Sequence, residues 1–234
     1  MSLRLHWSPD SANLVVRIAL EELGLAFEGL RVDRAKAGHK RPEYLALNPQ
    51  GLIPVLQDGD LVLFETGAIL LHLADRTGRL GPDGPPADHP AARAAFLKWL
   101  FYISNTVHAD LRAAFYSPRY IAEAGVPALR DGLAARLTGH LAMLEGVLAP
   151  TGWLVAETPS LADFYLAACL RWAQIYPTGR PLLNGVDAYP HVGALLQAVE
   201  ARPAVRRACA AEAIGGKPFT LPELPVLPVD QVTG

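Results

Sequence analysis

The sequence predicts an α/β domain at the N-terminus followed by an all-α domain. Three observations carry that expectation. Residues 3–78 alternate between strand-like and helix-like patterns. A proline- and glycine-rich stretch, "RLGPDGPPADHP" over 79–90, then interrupts every periodicity. Beyond it almost every segment repeats apolar residues at helical spacing.

The elements follow in order. "LRLHW" (3–7) alternates apolar and polar residues as a strand does. Residues 11–24 place Leu14, Val15, Ile18, Ala19 and Leu23 at helical spacing, with Gly24 positioned to cap the C-terminal end. "AFEGLRVD" (26–33) alternates again, and strand–helix–strand favours a right-handed parallel crossover. "RPEYLALN" is a short helix candidate. "IPVLQDGDLVLFE" (53–65) sets two apolar runs around Asp58-Gly59-Asp60, a hairpin signature. "TGAILLHLADRTG" (66–78) is a helix ending at Gly78. In the second domain, helices are expected over 90–115, 127–149, 160–176 and 189–201, with one more near 203–213. The proline-rich end, "GGKPFTLPELPVLPVDQVTG", reads as an extended tail. The divisions are thus 1–80, a linker 81–89, 90–213, and a tail 214–234.

Composition excludes several classes of function. The chain of 234 residues is 51% hydrophobic and 19% charged, so it can bury a core. Its formal net charge of -2 gives no reason to expect nucleic acid or an anionic membrane as the main partner. The two cysteines, Cys169 and Cys209, have no CxxC or metal-like neighbour and suit a reducing compartment. The histidines show no metal-ligand spacing. Apolar runs fall short of the ~20 residues that span a bilayer, and no signal peptide is evident. A cytoplasmic protein is expected.

Four stretches carry candidate chemistry. "SPDSAN" (8–13) gathers hydroxyl and amide side chains where a strand hands over to a helix. "NPQGLIPVL" (48–56) opens a strand with an Ile53–Pro54 bond; proline there avoids losing a ladder hydrogen bond. In "FETGAILLHLA", Glu65 and Thr66 stand at another strand-to-helix junction. The helix N-terminus would attract a carboxylate, and Glu65 would accept from an ammonium, so the pair suits an amino-acid group. The pair also reads as a simple cap with a favourable acid nearby. "PSLADFYLA" sets Ser160 and Asp163 at capping-box spacing, with a shorter acid than the usual Glu.

In this order and at these distances, the four stretches resemble the cytosolic glutathione S-transferases, and in particular bacterial serine-type or beta-like members. The resemblance spans roughly residues 3–213. It implies a thioredoxin-like glutathione-binding domain, a cis proline at Pro54, a helical domain completing the second substrate site, and a homodimer. It implies a glutathione transferase engaged in detoxification, using glutathione as co-substrate and no tightly bound cofactor.

In that family the start of the first helix holds the glutathione sulfur. Ser11 is the candidate activator, with Asn13 or its backbone N–H in support and Ser8 as a rival. Beta-type members carry a cysteine where this chain has Ala12, and tyrosine-type members use a tyrosine on the first strand, where His6 and Trp7 stand. The carboxylate of Asp10, beside Ser11, would oppose a thiolate and is expected to face away. The resemblance further implies that the Ile53 backbone pairs with the cysteinyl part of glutathione, that Glu65 and Thr66 hold its γ-glutamyl end, and that Lys36, His39 or Lys40 meets its glycyl carboxylate. The electrophile pocket is expected to involve Phe101, Asn105 and His108, placed on one helix face by their spacing, and Tyr116. A disulfide reductase or peroxidase on the same fold, and a non-catalytic binding protein, are the alternatives.

Overall fold

The computed structural model describes residues 2–82 and 88–226. Residues 83–87 of the expected linker and 227–234 of the expected tail lie outside the described residues. The first part folds as β1 (Leu3–Trp7), α1 (Asn13–Leu23), β2 (Phe27–Arg31), the short α2 (Pro42–Leu45), β3 (Val55–Asp58), β4 (Leu61–Phe64) and α3 (Thr66–Thr77). The sheet order is β2-β1-β3-β4. β1 runs parallel to β2, with Leu5 opposite Gly29, and antiparallel to β3, with Leu5 opposite Leu56. The β3–β4 hairpin turns at Gly59, whose φ of +61° is one that glycine adopts without strain. Gly24 and Gly78 end α1 and α3 in the left-handed conformation, as expected of cap glycines.

The helical part comprises α4 (Pro90–Tyr102), α5 (His108–Phe115), α6 (Val126–Leu148), α7 (Leu161–Ile175), α8 (Pro190–Glu200) and α9 (Pro203–Ala211). The expected single helix over 90–115 is two. A π-helical turn, Ile103–Val107, joins α4 to α5 and changes the helical phase across it. α7 starts as its sequence predicts. Asp163 accepts from the N–H of Ser160 (2.7 Å), completing the capping box, and its other oxygen accepts from the N–H of Leu154 (2.9 Å).

Two helices organise the molecule. Every residue of α1 from Asn13 to Leu20 is buried, a pattern found when a helix is enclosed on all sides. It packs against β1, α3, α7 and α9, and so belongs to both domains. α7 is the other, buried from Leu161 to Ala173. Its Arg171, fully buried, donates through Nε and Nη2 to both oxygens of Asp10 (2.9 and 3.0 Å). The same guanidinium donates to the carbonyls of Pro218 (2.9 Å) and Glu223 (2.8 Å). The tail therefore docks on α7 as far as Glu223. Phe219 is buried, and Glu200 accepts from the N–H groups of Phe219 and Thr220.

Removing one partner from a buried pair of this kind costs about 3–5 kcal/mol, because the other charge stays buried. Arg171→Met is expected to lower unfolding free energy by that amount in urea titrations. The loss should exceed that of Arg180→Met, whose ion pair with Asp131 is exposed.

Candidate active site at the start of the first helix

The turn between β1 and α1 brings Ser8, Asp10, Ser11 and Asn13 together. Asp10 occupies the left-handed region at φ +48°, a conformation Asp tolerates better than most residues. Its carboxylate points into the domain junction, held by Arg171, by the Trp172 indole N–H (3.1 Å) and by the Tyr176 hydroxyl (3.1 Å). It faces away from the helix start, and it caps nothing there: the cap position is Ala12, without a side-chain bond.

Of the three candidates for the sulfur contact, Ser8 and Asn13 are fully buried and Ser11 is half-buried. Asn13 Oδ1 accepts from the Ser8 N–H (2.8 Å) and the Ser11 hydroxyl (2.5 Å), while its Nδ2 donates to Glu212 (2.6 Å). The backbone carbonyl of Ser8 is a second acceptor for Ser11 Oγ, at 3.1 Å. Ser11 is thus the side chain of the three that reaches the surface, and Asn13 stands behind it.

A second helix start lies nearby. Glu65 precedes α3 with φ +69° and ψ +114°, a strained conformation for a residue with a Cβ, costing about 1–3 kcal/mol. Its side chain is exposed and caps nothing. The first turn of α3 contains no acid of its own. Thr66 is buried, with its side chain near the Tyr165 hydroxyl. Between these two helix starts runs the loop into β3. The Ile53–Pro54 bond is cis, and Ile53 is half-buried. Asn48 Nδ2 and the Tyr44 hydroxyl both donate to the Leu52 carbonyl (2.8 and 2.7 Å), bracing that loop.

The candidate basic residues separate. Lys36 is exposed and pairs with Asp33 (3.3 Å). His39 and Lys40 lie against the 48–54 loop: a Cβ on Gly51 would meet the His39 carbonyl at 2.8 Å and Lys40 Nζ at 3.1 Å. The β3 loop therefore has Lys40, not Lys36, as its neighbouring cation.

The helical domain supplies a wall opposite. His108 Nδ1 lies 2.7 Å from the Tyr165 hydroxyl, and its ring rests against Trp172 at 5.4 Å. Hydrogen bonds and ring contacts thus run from Tyr165 through His108 and Trp172 to Asp10. The expected common face of Phe101, Asn105 and His108 does not form. Phe101 and Asn105 are exposed, whereas His108 packs inward, because the π-turn alters the phase that the spacing assumed. Tyr116 is half-buried beneath the Arg119 guanidinium (4.5 Å). Ser104, which the sequence did not single out, is the residue that meets the α3 start: its Cβ and Oγ lie 3.5 and 3.6 Å from where a Cβ on Gly67 would be. Glu212, also missed, carries no motif; only folding brings it to residues 10–17.

Four other histidines have side-chain partners: His6 with Gln57, His72 with Asp58, His140 with Tyr102 and Asp110, His191 with Glu145. Among the described residues no group of His, Cys, Asp and Glu could hold a metal, and no helix is long and apolar enough to cross a membrane.

A four-stranded mixed sheet with a cis-proline loop beside two helix starts, walled by a helical domain, defines the class of the glutathione transferases. Comparison with known proteins agrees. The glutathione S-transferase N-terminal domain matches residues 1–75, and the corresponding C-terminal domain matches residues 108–203. The chain belongs to the glutathione S-transferase family. It is 36% identical over 214 residues to glutathione S-transferase 3 of Zea mays, covering 89% of this chain and 94% of that protein. It is 28% identical over 211 residues to the disulfide-bond oxidoreductase YfcG of Escherichia coli, covering 87% and 93%. A glutathione transferase homolog from Sulfitobacter, solved with bound glutathione, superposes with a TM-score of 0.76 at 26% identity, covering 90% of this chain and 98% of that one.

Burial, with Arg112 nearby, pushes the His108 imidazole down to about 4. The unfolded imidazole takes a proton near its ordinary value of 6.5, while the folded one stays neutral until about 4. The unfolded state thus binds more protons in that window, so stability present above pH ~6.5 is lost as pH falls toward ~4. Thermal melts across that range are expected to show a shallower acid-side fall in Tm for His108→Gln than for the wild type.

Proposed function

We propose that the protein ionises the glutathione thiol at Ser11 and directs the thiolate onto a small hydrophobic electrophile. One observation carries this reading most directly. The start of α1 presents a half-buried hydroxyl, while the adjacent Asp10 carboxylate is turned into Arg171. A thiol with pKa near ~8.5 is only a few per cent thiolate at neutral pH. Lowering that value by ~2 units takes ~2.7 kcal/mol. A hydrogen bond to a charged group supplies about 1.5–3 kcal/mol, and a helix N-terminus about 0.3–1. One hydroxyl on a helix start suffices, with no general base.

In this reading the tripeptide spans the two helix starts. Its γ-glutamyl carboxylate faces the N–H groups of α3 and its ammonium meets Glu65. The strained, exposed placement of Glu65 supports that role. The backbone N–H of Thr66, at the start of α3, is the natural donor to glutathione. The Ile53 backbone pairs with the cysteinyl unit, and Lys40 or His39 meets the glycyl carboxylate. The electrophile lies between Ser11 and the His108–Tyr165 wall, where proximity to the sulfur removes much of the entropic barrier. We place the reaction in cytoplasmic detoxification by a two-fold homodimer of the serine type.

The likeness to the Escherichia coli oxidoreductase supports a second reading, attack of the same thiolate on a disulfide sulfur with release of the other thiolate. The chain's own thiols are unsuited to such exchange. Burial pushes Cys209 up to about 12 and Cys169 well above its ordinary value. The electron pair would come from glutathione. Assays with chlorinated aromatics, isothiocyanates, peroxides and small disulfides separate the two readings.

Ser11→Ala is expected to raise the pKa of bound glutathione by about 1–2 units, the equivalent of the lost charged hydrogen bond. Turnover should fall most near neutral pH and recover as pH rises. Overlaying pH–rate profiles, with thiolate absorbance followed in the complex, would remove Ser11 as activator. Glu65→Gln should weaken glutathione binding by about 1.5–3 kcal/mol in calorimetry, the worth of a charged hydrogen bond. Unchanged affinity would refute the ammonium contact.

A further inference from the structure

Glu212 follows the last turn of α9 and is fully buried. A buried carboxylate is expensive unless its oxygens are well supplied with donors. Here three converge on it: the Arg17 Nε (3.0 Å), the Asn13 Nδ2 (2.6 Å) and the Asp10 backbone N–H (3.0 Å). Two of the three belong to the turn that carries Ser11, about 200 positions away in sequence. Arg17 is itself enclosed, stacked on the Trp7 ring at 4.7 Å. Both oxygens act as acceptors, the arrangement of an ionised group, while burial pushes its pKa up to about 8 against the pull of Arg17 and the Asp10 N–H.

We infer that Glu212 is a positioning residue for Ser11, acting through the Asn13 amide. The geometry makes the path specific. With Nδ2 given to Glu212, Asn13 Oδ1 must face the Ser8 N–H and the Ser11 hydroxyl. Turning the amide over would set Oδ1 against the carboxylate oxygen and Nδ2 against the Ser8 N–H, so neither end tolerates the flip. Ser11 Oγ is thereby tethered between Asn13 Oδ1 and the Ser8 carbonyl. Its single proton has only neutral acceptors in this arrangement. A thiolate at the helix start is a charged acceptor and outcompetes them for that proton. The bonds that survive the rotation, from the Ser8 N–H to Asn13 Oδ1 and from the Asp10 N–H to Glu212, keep the backbone that carries Ser11 in place. Glu212 reaches neither sulfur nor solvent. Its effect is to hold the amide and the Asp10 N–H, and with them the turn that carries Ser11, ready before glutathione binds.

This inference rests on the reading of Ser11 as the thiol activator, and the sign of one measurement separates it from a simple charge effect. Glu212→Gln keeps the volume but leaves one acceptor oxygen for three donors, so the turn loses part of its support. Loss of positioning should raise the pKa of bound glutathione, by about one unit, and reduce kcat/KM near neutral pH about tenfold. KM for glutathione should change little, because the tripeptide is held elsewhere. Removal of a nearby negative charge alone would do the opposite: with Arg17 left unopposed, the thiol pKa would fall. Thiolate absorbance against pH, read in the wild type, Ser11→Ala, Glu212→Gln, Glu212→Asp and Asn13→Ala, decides between them. A raised thiol pKa in Glu212→Gln, no larger when combined with Asn13→Ala, bears the inference out. An unchanged or lowered value in a folded Glu212→Gln protein overturns it. Should that variant not fold, Glu212→Asp and Asn13→Ala must both show the rise, and failure in either overturns it. If the wild type itself shows an ordinary thiol pKa, or Ser11→Ala leaves it unmoved, the reading of Ser11 fails instead.

Discussion

The buried ion pair between Asp10 and Arg171 is the constraint on which the arrangement depends. Two fully enclosed charges are tolerable only when every remaining donor and acceptor around them is satisfied. Arg171 meets this by spending its donors on both oxygens of Asp10 and on two carbonyls of the tail. Asp10 meets it by accepting from Trp172 and Tyr176 as well. The pair therefore ties together the β1–α1 turn, the core of α7 and the chain after α9. It also settles the electrostatics of the proposed sulfur site, because the acid next to Ser11 is neutralised in place and faces away.

A second buried carboxylate repeats the logic. Glu212 gathers Arg17, Asn13 and the Asp10 N–H, so the turn is held from below by charge-assisted bonds from two directions. α1 can then be enclosed from Asn13 to Leu20 while its N-terminus stays accessible through Ser11. Rigid burial behind and a single polar side chain in front is the arrangement that preorganised electrostatic catalysis requires. Thr66 lies near Tyr165, whose contacts through His108 to Trp172 set the second helix start beside the same scaffold. Ligand contacts at the two ends of a bound tripeptide would thus share one support.

Much of this was legible in the order of residues, and the reasons differ by element. The capping box at Ser160 and Asp163 and the cap glycines at 24 and 78 are local chemistry, acting over a few neighbouring positions. The β3–β4 hairpin is equally local, set by Asp58-Gly59-Asp60 between apolar runs. The cis bond at Pro54 had only a weak local signal and came from the family resemblance. The π-turn at 103–107 was invisible, since those residues are compatible with a plain helix and neighbouring packing decides the phase. Its consequence was the failed common face of Phe101, Asn105 and His108.

What the sequence alone determined is therefore what short-range physics determines: strand and helix positions, caps and turns, and the small polar cluster from Ser8 to Asn13. The tertiary structure decided which of those polar groups faces outward. Ser8 and Asn13 became buried supports and Ser11 the accessible hydroxyl, because a carboxylate at 212 and a guanidinium at 171 arrive beside the turn only when the chain folds. A buried charge draws its partners from whatever distance in sequence the fold allows, so no window of residues around the turn could have shown that choice.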